Sequence, residues 1–481
     1  MKIVSLTIAF LCFLTIAIAQ KKHAEPLIIQ GRIANTTEKM LKIFFEDEYS
    51  RTTIDTIKIN NDGTFYLKTY HITKPQRTSL QQNSLQINKI YVAPGYNLTI
   101  TGDATDYLTL FQTKRITGIG SETNAYRQKV DSMLAARNDR TEWYSLKLDD
   151  LLKYIRKTAA LNDSIFNVVF NKQPKQDKYF NTFKRLIKID EQSLAYYMVL
   201  QHLEMGKYTY QQMDEIAKQN LPPIFKAGIS RDEYLESDDY KSWIVPLYFA
   251  LHRKMDLLKD SMSVKQPDYV LNTVNKLYTG KVRDKYLYWS VNSRIRDASS
   301  IEQLNKAKKA SEKTINSIKD ANLKGNLNSS FKFKEDQLML VQAGQPAPSF
   351  NLPSDKGQLY TVEGFKGKVV YIDLWASWCG PCRQEMPNFK KLSESYKGNG
   401  NITFVSIAVF DGERDWRKAL SVEQPTWLQL YDNEGKVARS YVANAIPKYI
   451  IIDKDGKVAN FNAPGPGSAE IKTVLDKELA K

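Results

Sequence analysis

Residues 375 to 382 read Trp375-Ala376-Ser377-Trp378-Cys379-Gly380-Pro381-Cys382. They stand between an apolar run, Val369-Val370-Tyr371-Ile372-Asp373-Leu374, and a periodic stretch, Met386-Pro387-Asn388-Phe389-Lys390-Lys391-Leu392. The run reads as a buried strand and the periodic stretch as a helix. A Cys-x-x-Cys therefore falls where a strand hands over to a helix N-terminus. There the first cysteine meets free backbone N–H groups and the positive end of the helix dipole. Both favour thiolate over thiol, and the thiolate is the nucleophile in disulfide exchange. The second cysteine lies within a turn of the first, close enough to close a ring or to resolve a mixed disulfide.

Two other uses of such a pair fit the chain poorly. Half a zinc site would need two further Cys or His ligands. The only other cysteine is Cys12, and no histidine follows His252. A structural clip across four residues would restrain little chain. The spacing points to redox chemistry, with no metal and no cofactor.

The N-terminus reads as a targeting segment. Lys2 precedes an apolar stretch over 3–18, and Ala17-Ile18-Ala19 offers a small-x-small cleavage site before Gln20. The stretch is shorter than the roughly 18–20 residues a membrane span needs. Export to the periplasm or cell envelope is expected, with residues 1–19 removed and Cys12 lost with them. The exported chain then holds only Cys379 and Cys382, so it has no disulfide framework and its one pair reads as a working pair.

The net charge of +16 invites a nucleic-acid or membrane reading. Its placement argues otherwise. Residues 344–481 carry 18 Lys and Arg against 16 Asp and Glu, and the excess elsewhere forms no block of like charge. With export, no nucleic-acid partner is expected; the charge reads as solvated basic helix faces, with a basic face that meets an acidic partner or a membrane surface as the alternative.

A chain of 481 residues exceeds one ordinary core. Residues 25–117 show short strand patterns with turns at Asn60-Asn61-Asp62-Gly63 and a hairpin at Pro94-Gly95, which suggest a small antiparallel β-sandwich. Residues 118–338 carry helical spacing, as in Leu148, Leu151, Leu152 and Ile155, and suggest an α-helical domain. A linker is expected over 335–344. Residues 344–481 alternate strand and helix and close with a hairpin and a helix capped by Ser468, an α/β pattern with a mixed sheet.

This last domain resembles the thioredoxin fold, and within it the TlpA/ResA-like thiol–disulfide oxidoreductases. The resemblance rests on Gly-x-Pro-Ala-Pro-x-Phe-x-Leu at 344–352, Gly367-Lys368-Val369-Val370, the octapeptide, Glu385-Met386-Pro387, Ile446-Pro447 and Asp453-x-Asp455-Gly456. It implies that Cys379 and Cys382 are catalytic, in a setting such as cytochrome c maturation. It implies that Pro447 is a cis-proline whose preceding Ile446 pairs with an extended substrate. It places Asp373 where thioredoxin has a buried base for the second cysteine, and Glu385 where an acidic residue influences thiol proton traffic. Apolar neighbours favour burial of Asp373, which would raise its pKa. Trp378 is expected as a flat contact surface beside Cys379.

Gly380-Pro381 between the cysteines is the pairing of reducing thioredoxins, so a protein-disulfide reductase is expected. Its partners would be disulfide-bearing exported proteins and a membrane-bound thiol donor. A thiol peroxidase would need a Pro-x-x-x-Thr-x-x-Cys loop, and a copper-delivery module Cys-x-x-x-Cys with a distal His; neither is present. A docking module, with the front domains binding a partner, stays open as the alternative.

Overall fold

The computed structural model describes residues 25–47, 52–82, 85–136, 141–171 and 177–481. The expected signal peptide, Cys12 and His23 lie outside the described residues. Eight strands open the chain: β1 (Leu27–Ala34), β2 (Met40–Glu46), β3 (Thr52–Lys58), β4 (Thr64–Thr69), β5 (Gln76–Gln82), β6 (Leu85–Val92), β7 (Asn97–Asp103) and β8 (Arg115–Ile119). They form two four-stranded sheets, in the orders β4-β1-β7-β8 and β3-β2-β5-β6. Pairing is antiparallel except between β1 and β7, which run parallel. Alternation along the strands turns Leu27, Ile29 and Ile33 of β1 and Leu41, Ile43 and Phe45 of β2 into one shared core.

Two expected turns carry the chain between sheets. At Asn60-Asn61-Asp62-Gly63 the Asn60 N–H donates to the Thr64 carbonyl at 2.8 Å, and a single bridge joins Ile59 to Phe65. β3 and β4 then part into different sheets. Pro94-Gly95 likewise links β6 in one sheet to β7 in the other, so it is no hairpin. β5 lacks apolar alternation yet lies inside its sheet. Its buried polar groups are satisfied: Thr78 Oγ1 donates to the Phe44 carbonyl at 2.7 Å, and Gln76 Oε1 accepts from the Glu46 N–H at 2.9 Å.

Among the described residues ten α-helices follow or interrupt the strands: α1 (Tyr107–Thr113), α2 (Ser121–Ala136), α3 (Leu148–Asn171), α4 (Phe180–Met205), α5 (Tyr210–Gln219), α6 (Val245–Lys259), α7 (Tyr269–Leu277), α8 (Gly280–Asp297), α9 (Ile301–Ser317) and α10 (Ala321–Leu340). α4 belongs to two cores. Its Phe183, Leu186 and Ile187 pack with the sandwich, while Tyr196, Val199 and Leu203 pack with the helices. Arg77 of β5 ties the two regions. It reaches Asp190 of α4 at 2.8 Å and Asp239 at 2.7 Å, all three side chains being buried.

The expected linker is helix as far as Leu340. The spacing Leu323, Leu327, Phe331, Leu338 runs straight through it, and Leu338 and Val341 are buried in a core that continues into the last domain. There the strands are β9 (Asn351–Pro353), β10 (Leu359–Thr361), β11 (Val369–Trp375), β12 (Ile402–Val409), β13 (Leu428–Asp432), β14 (Lys448–Ile452) and β15 (Val458–Asn460). The helices are α11 (Gly380–Ser395), α12 (Glu413–Glu423), α13 (Lys436–Ser440) and α14 (Ile471–Leu479). Ser468 does not cap α14; it accepts the Glu470 N–H in the turn before it, and Glu470 is the N-cap.

The central sheet has the order β13-β12-β11-β14-β15. β11, β12 and β13 are parallel, and β14 and β15 antiparallel. β11 is buried along its whole length, as a central parallel strand covered on both faces requires. Val370, Ile372 and Leu374 face the core shared with the helical region. Val369 and Tyr371 face Phe389 and Leu392 of α11 and Ile471 and Leu475 of α14, and Trp375 packs with Met386 of α11. Among the described residues no helix is long and apolar enough to cross a membrane.

Candidate active site

β11 ends at Trp375, and the next three residues lift the chain to Cys379, the N-cap of α11. Cys379 Sγ accepts the Cys382 N–H at 3.2 Å. The Cys379 sulfur thus sits on an orphan helix donor, as the strand-to-helix hand-over requires. Cys379 and Cys382 form a disulfide and are both nearly buried, at 4% and 3% exposure. Trp378 beside them is 64% exposed.

Two residues after β12 hold this turn. The Asp411 carboxylate accepts from both the backbone N–H and the hydroxyl of Ser377, the latter at 2.8 Å. The Phe410 carbonyl accepts from Trp378 Nε1 at 2.9 Å. Phe410 takes a left-handed backbone, φ 56°, to present that carbonyl and the following carboxylate to the same turn. Burial raises the Asp411 pKa, and the two Ser377 bonds oppose the rise. Sequence reading passed over both residues; the only signal is an Asp-Gly pair closing an apolar strand.

Asp373 lies mid-strand in β11, opposite Ser406 of β12 and Tyr449 of β14. Alternation puts its side chain on the α11 side, between Tyr371 and Trp375. It is 5% exposed, and burial pushes its carboxyl up to about 7. The Ser406 hydroxyl bond lowers it and the Glu385 charge raises it. A carboxyl in that range can take or return a proton near neutrality. Glu385, one turn beyond Cys382, is half-buried and accepts from the Gly467 N–H at 3.1 Å and from Asn388 Nδ2 at 3.2 Å.

The Ile446–Pro447 bond is cis. It leads into β14, whose Lys448 pairs with Leu374 at the end of β11. Ile446 packs against the cluster that contains both cysteines, Trp375 and Ala376. The helical region reaches this loop: the Arg296 carbonyl accepts from Asn444 Nδ2 and from Lys334 Nζ. Burial, with the Lys334 charge behind it, lowers Lys448 to about 8. Trp378 precedes the sulfur pair and Ile446 packs against its cluster, while Asp373 lies on the α11-facing side of β11 and Glu385 one turn beyond Cys382. Among the described residues no group of three or more His, Cys, Asp and Glu side chains is placed to hold a metal ion.

The family described as Redoxin matches residues 342–475. The thioredoxin-like protein YneN of Bacillus subtilis is 30% identical over 137 residues, 28% of this chain and 80% of the relative. The thiol-disulfide oxidoreductase ResA of Bacillus thuringiensis subsp. konkukian is 31% identical over 124 residues, 24% of this chain and 68% of the relative. The chain belongs to the TlpA/ResA-like family of thioredoxin-fold proteins. Among solved structures, a thiol-disulfide oxidoreductase from Bacteroides fragilis is 28% identical, covering 28% of this chain and 99% of that one, with a TM-score of 0.26. As a family member the chain is a thioredoxin-like thiol–disulfide oxidoreductase. The sulfur pair at the start of α11 is the chemistry such an enzyme needs.

Proposed function

We propose that this protein is an exported reductant that exchanges its Cys379–Cys382 dithiol with disulfides of extracytoplasmic proteins. The observation that carries the reading is the Cys-Gly-Pro-Cys pair seated on the first turn of α11, the helix that packs on the face of β11 carrying the buried Asp373 carboxyl. Cys379 thiolate, favoured by the Cys382 N–H and the helix dipole, attacks the substrate disulfide. One substrate sulfur leaves as thiolate, and the other stays bonded to Cys379. Asp373 takes the proton of Cys382, whose thiolate then attacks Cys379 and releases the second substrate sulfur. Glu385 modulates that proton transfer through its charge on Asp373.

The substrate segment lies along Ile446 and cis-Pro447, with Trp378 as a flat contact beside it. Gly380-Pro381 between the cysteines, with no histidine there to stabilise the thiolate, favours a low potential and hence a donor role. In an oxidising compartment such a donor is re-reduced by a membrane-bound thiol partner. The periplasm or cell envelope is the place of action, reached through the N-terminal apolar segment.

A Cys382→Ser variant of the full chain, expressed in its own cell envelope, tests this reading. It should accumulate mixed disulfides on Cys379 with exported proteins, released by added thiol. Recovery of no such adducts, with Cys379 still reactive to alkylating agents, would favour a docking module over a reductase.

A further inference from the structure

Ser406, fully buried on the α11-facing side of β12, meets Asp373 and stands at the center of a relay that runs out to the partly buried Trp427. Trp427 Nε1 donates to Ser406 Oγ at 2.8 Å, and Ser406 Oγ donates to Asp373 Oδ2 at 3.1 Å. With Asp373 ionised the direction follows, because a carboxylate only accepts. An indole N–H can only donate, so the serine oxygen accepts from it and has one proton left to give. That proton goes to Oδ2. The other oxygen, Oδ1, is buried and has no hydrogen-bond partner among the described residues. It is the one polar atom of this carboxyl left free inside the apolar space between β11 and α11.

We propose that Ser406 and Trp427 are positioning residues of the exchange reaction: by occupying Oδ2 they assign Oδ1 as the oxygen that receives the proton of Cys382. The assignment rests on Asp373 acting as the base, as set out above. In the resolving step the Cys382 S–H bond breaks and its proton forms an O–H bond with Oδ1. The Cys382 sulfur then forms the bond to Cys379 as the Cys379–substrate bond breaks, and the electron pair leaves on the substrate sulfur. Two electrons pass from the dithiol to the substrate disulfide, and Asp373 gives its proton up once the disulfide has formed.

The relay also opposes the rise that burial imposes on this carboxyl. The titratable groups that act on it are Tyr371 on its own strand, Tyr449 on β14 and Glu385 on α11. Both tyrosines are held well above their usual range by burial and stay neutral throughout. Glu385 raises the carboxyl, so the Ser406 bond is the named interaction that brings it down. Without it, the ionised form loses a hydrogen bond in a dry site, where such a bond is strongest.

The test reads Asp373 directly, by difference infrared titration of its carboxyl band in the oxidised full-length protein. Asp373→Asn identifies the band by its loss. Ser406→Ala should move the midpoint upward by about one pH unit. Trp427→Phe, which leaves the serine hydroxyl in place but unanchored, should move it upward by less. Midpoints unchanged in both variants would overturn the relay. If Ser406→Ala does not fold, Trp427→Phe alone decides. A stopped-flow pH profile of mixed-disulfide resolution separates the two levels. Its inflection should vanish in Asp373→Asn and shift upward with the infrared midpoint in Ser406→Ala. An inflection that persists in Asp373→Asn would refute the base role, while the infrared shift would still report on the relay. A merely structural Ser406 would alter stability and leave both pH midpoints in place.

Discussion

Replacing Asp373 by Asn should stabilise the central sheet, and by an amount that depends on pH in a stated way. Burial holds the folded carboxyl at about 7, against 3.8 for an ordinary aspartate. Below 3.8 the group is protonated in both folded and unfolded chains and contributes nothing. Between 3.8 and about 7 the unfolded chain has released its proton while the folded chain retains it, so stability falls as pH rises. Above about 7 both are ionised and the penalty stays constant. At 1.36 kcal/mol per pH unit the interval amounts to about 4 kcal/mol, an upper figure for a site that can relax. Asn keeps an acceptor for Ser406 and cannot ionise, so it removes this penalty. The chain has more than one core, so a single global unfolding curve is a poor readout. Amide hydrogen exchange of the β11 segment in the full-length oxidised protein is a better one. Comparing variant and parent at the same pH cancels the intrinsic rate. The variant should gain about 2–4 kcal/mol of protection at pH 8.5 relative to its difference at pH 4. A difference that is the same at both pH values would refute the claim that this carboxyl is held protonated by burial.

Asp411→Ala leaves the Ser377 N–H and hydroxyl without their acceptor, which should cost about 1–3 kcal/mol locally and slow reduction of a protein disulfide; insulin turbidity with Trp378 fluorescence reports both. Pro447→Ala should raise KM for a protein substrate several-fold while leaving the potential of the sulfur pair in place, measured by steady-state kinetics beside a glutathione titration. Arg77→Met removes the guanidinium between the buried carboxylates of Asp190 and Asp239, leaving Asp239 with Lys89 at 3.6 Å, and should cost up to about 3–5 kcal/mol at the junction of the sandwich and the helices, seen as new sites of limited proteolysis between them. Gly31→Ala should disrupt the β1–β7 pairing, because a Cβ there would lie 1.7 Å from the Ile100 carbonyl oxygen; circular dichroism and soluble yield check it.

What could be read from the chain follows the range of the interactions involved. The Cys-x-x-Cys turn is local, so the strand before it and the helix after it frame it without reference to anything distant. Asp373 stands out as the one carboxylate in an apolar run, and the structure buries it. Ser406 carries a similar signal in its own strand, the one fully buried hydroxyl among Ile402 to Val409, but its meaning depends on Trp427, which reaches it only once β13 is laid beside β12. The Phe410–Asp411 clamp depends on the end of one strand meeting the turn after another. In the front half the strand patterns were visible but their division between two sheets was not, since Pro94-Gly95 makes the same turn whether the chain returns to its own sheet or crosses to the other. β5 was hidden because three of its four inward residues, Gln76, Thr78 and Gln82, are polar and satisfied by hydrogen bonds, with Leu80 alone making apolar contact. The expected linker failed for the opposite reason: its polar composition masked a helical spacing that ends only at Leu340.

The reductant reading meets its most direct test in the reduction potential of the Cys379–Cys382 pair. The oxidised full-length protein, equilibrated with graded glutathione buffers and quenched by acid before alkylation, gives the value. A potential of about −270 mV is expected for a Cys-Gly-Pro-Cys donor. A potential above about −150 mV would make the pair an oxidant and contradict the assignment.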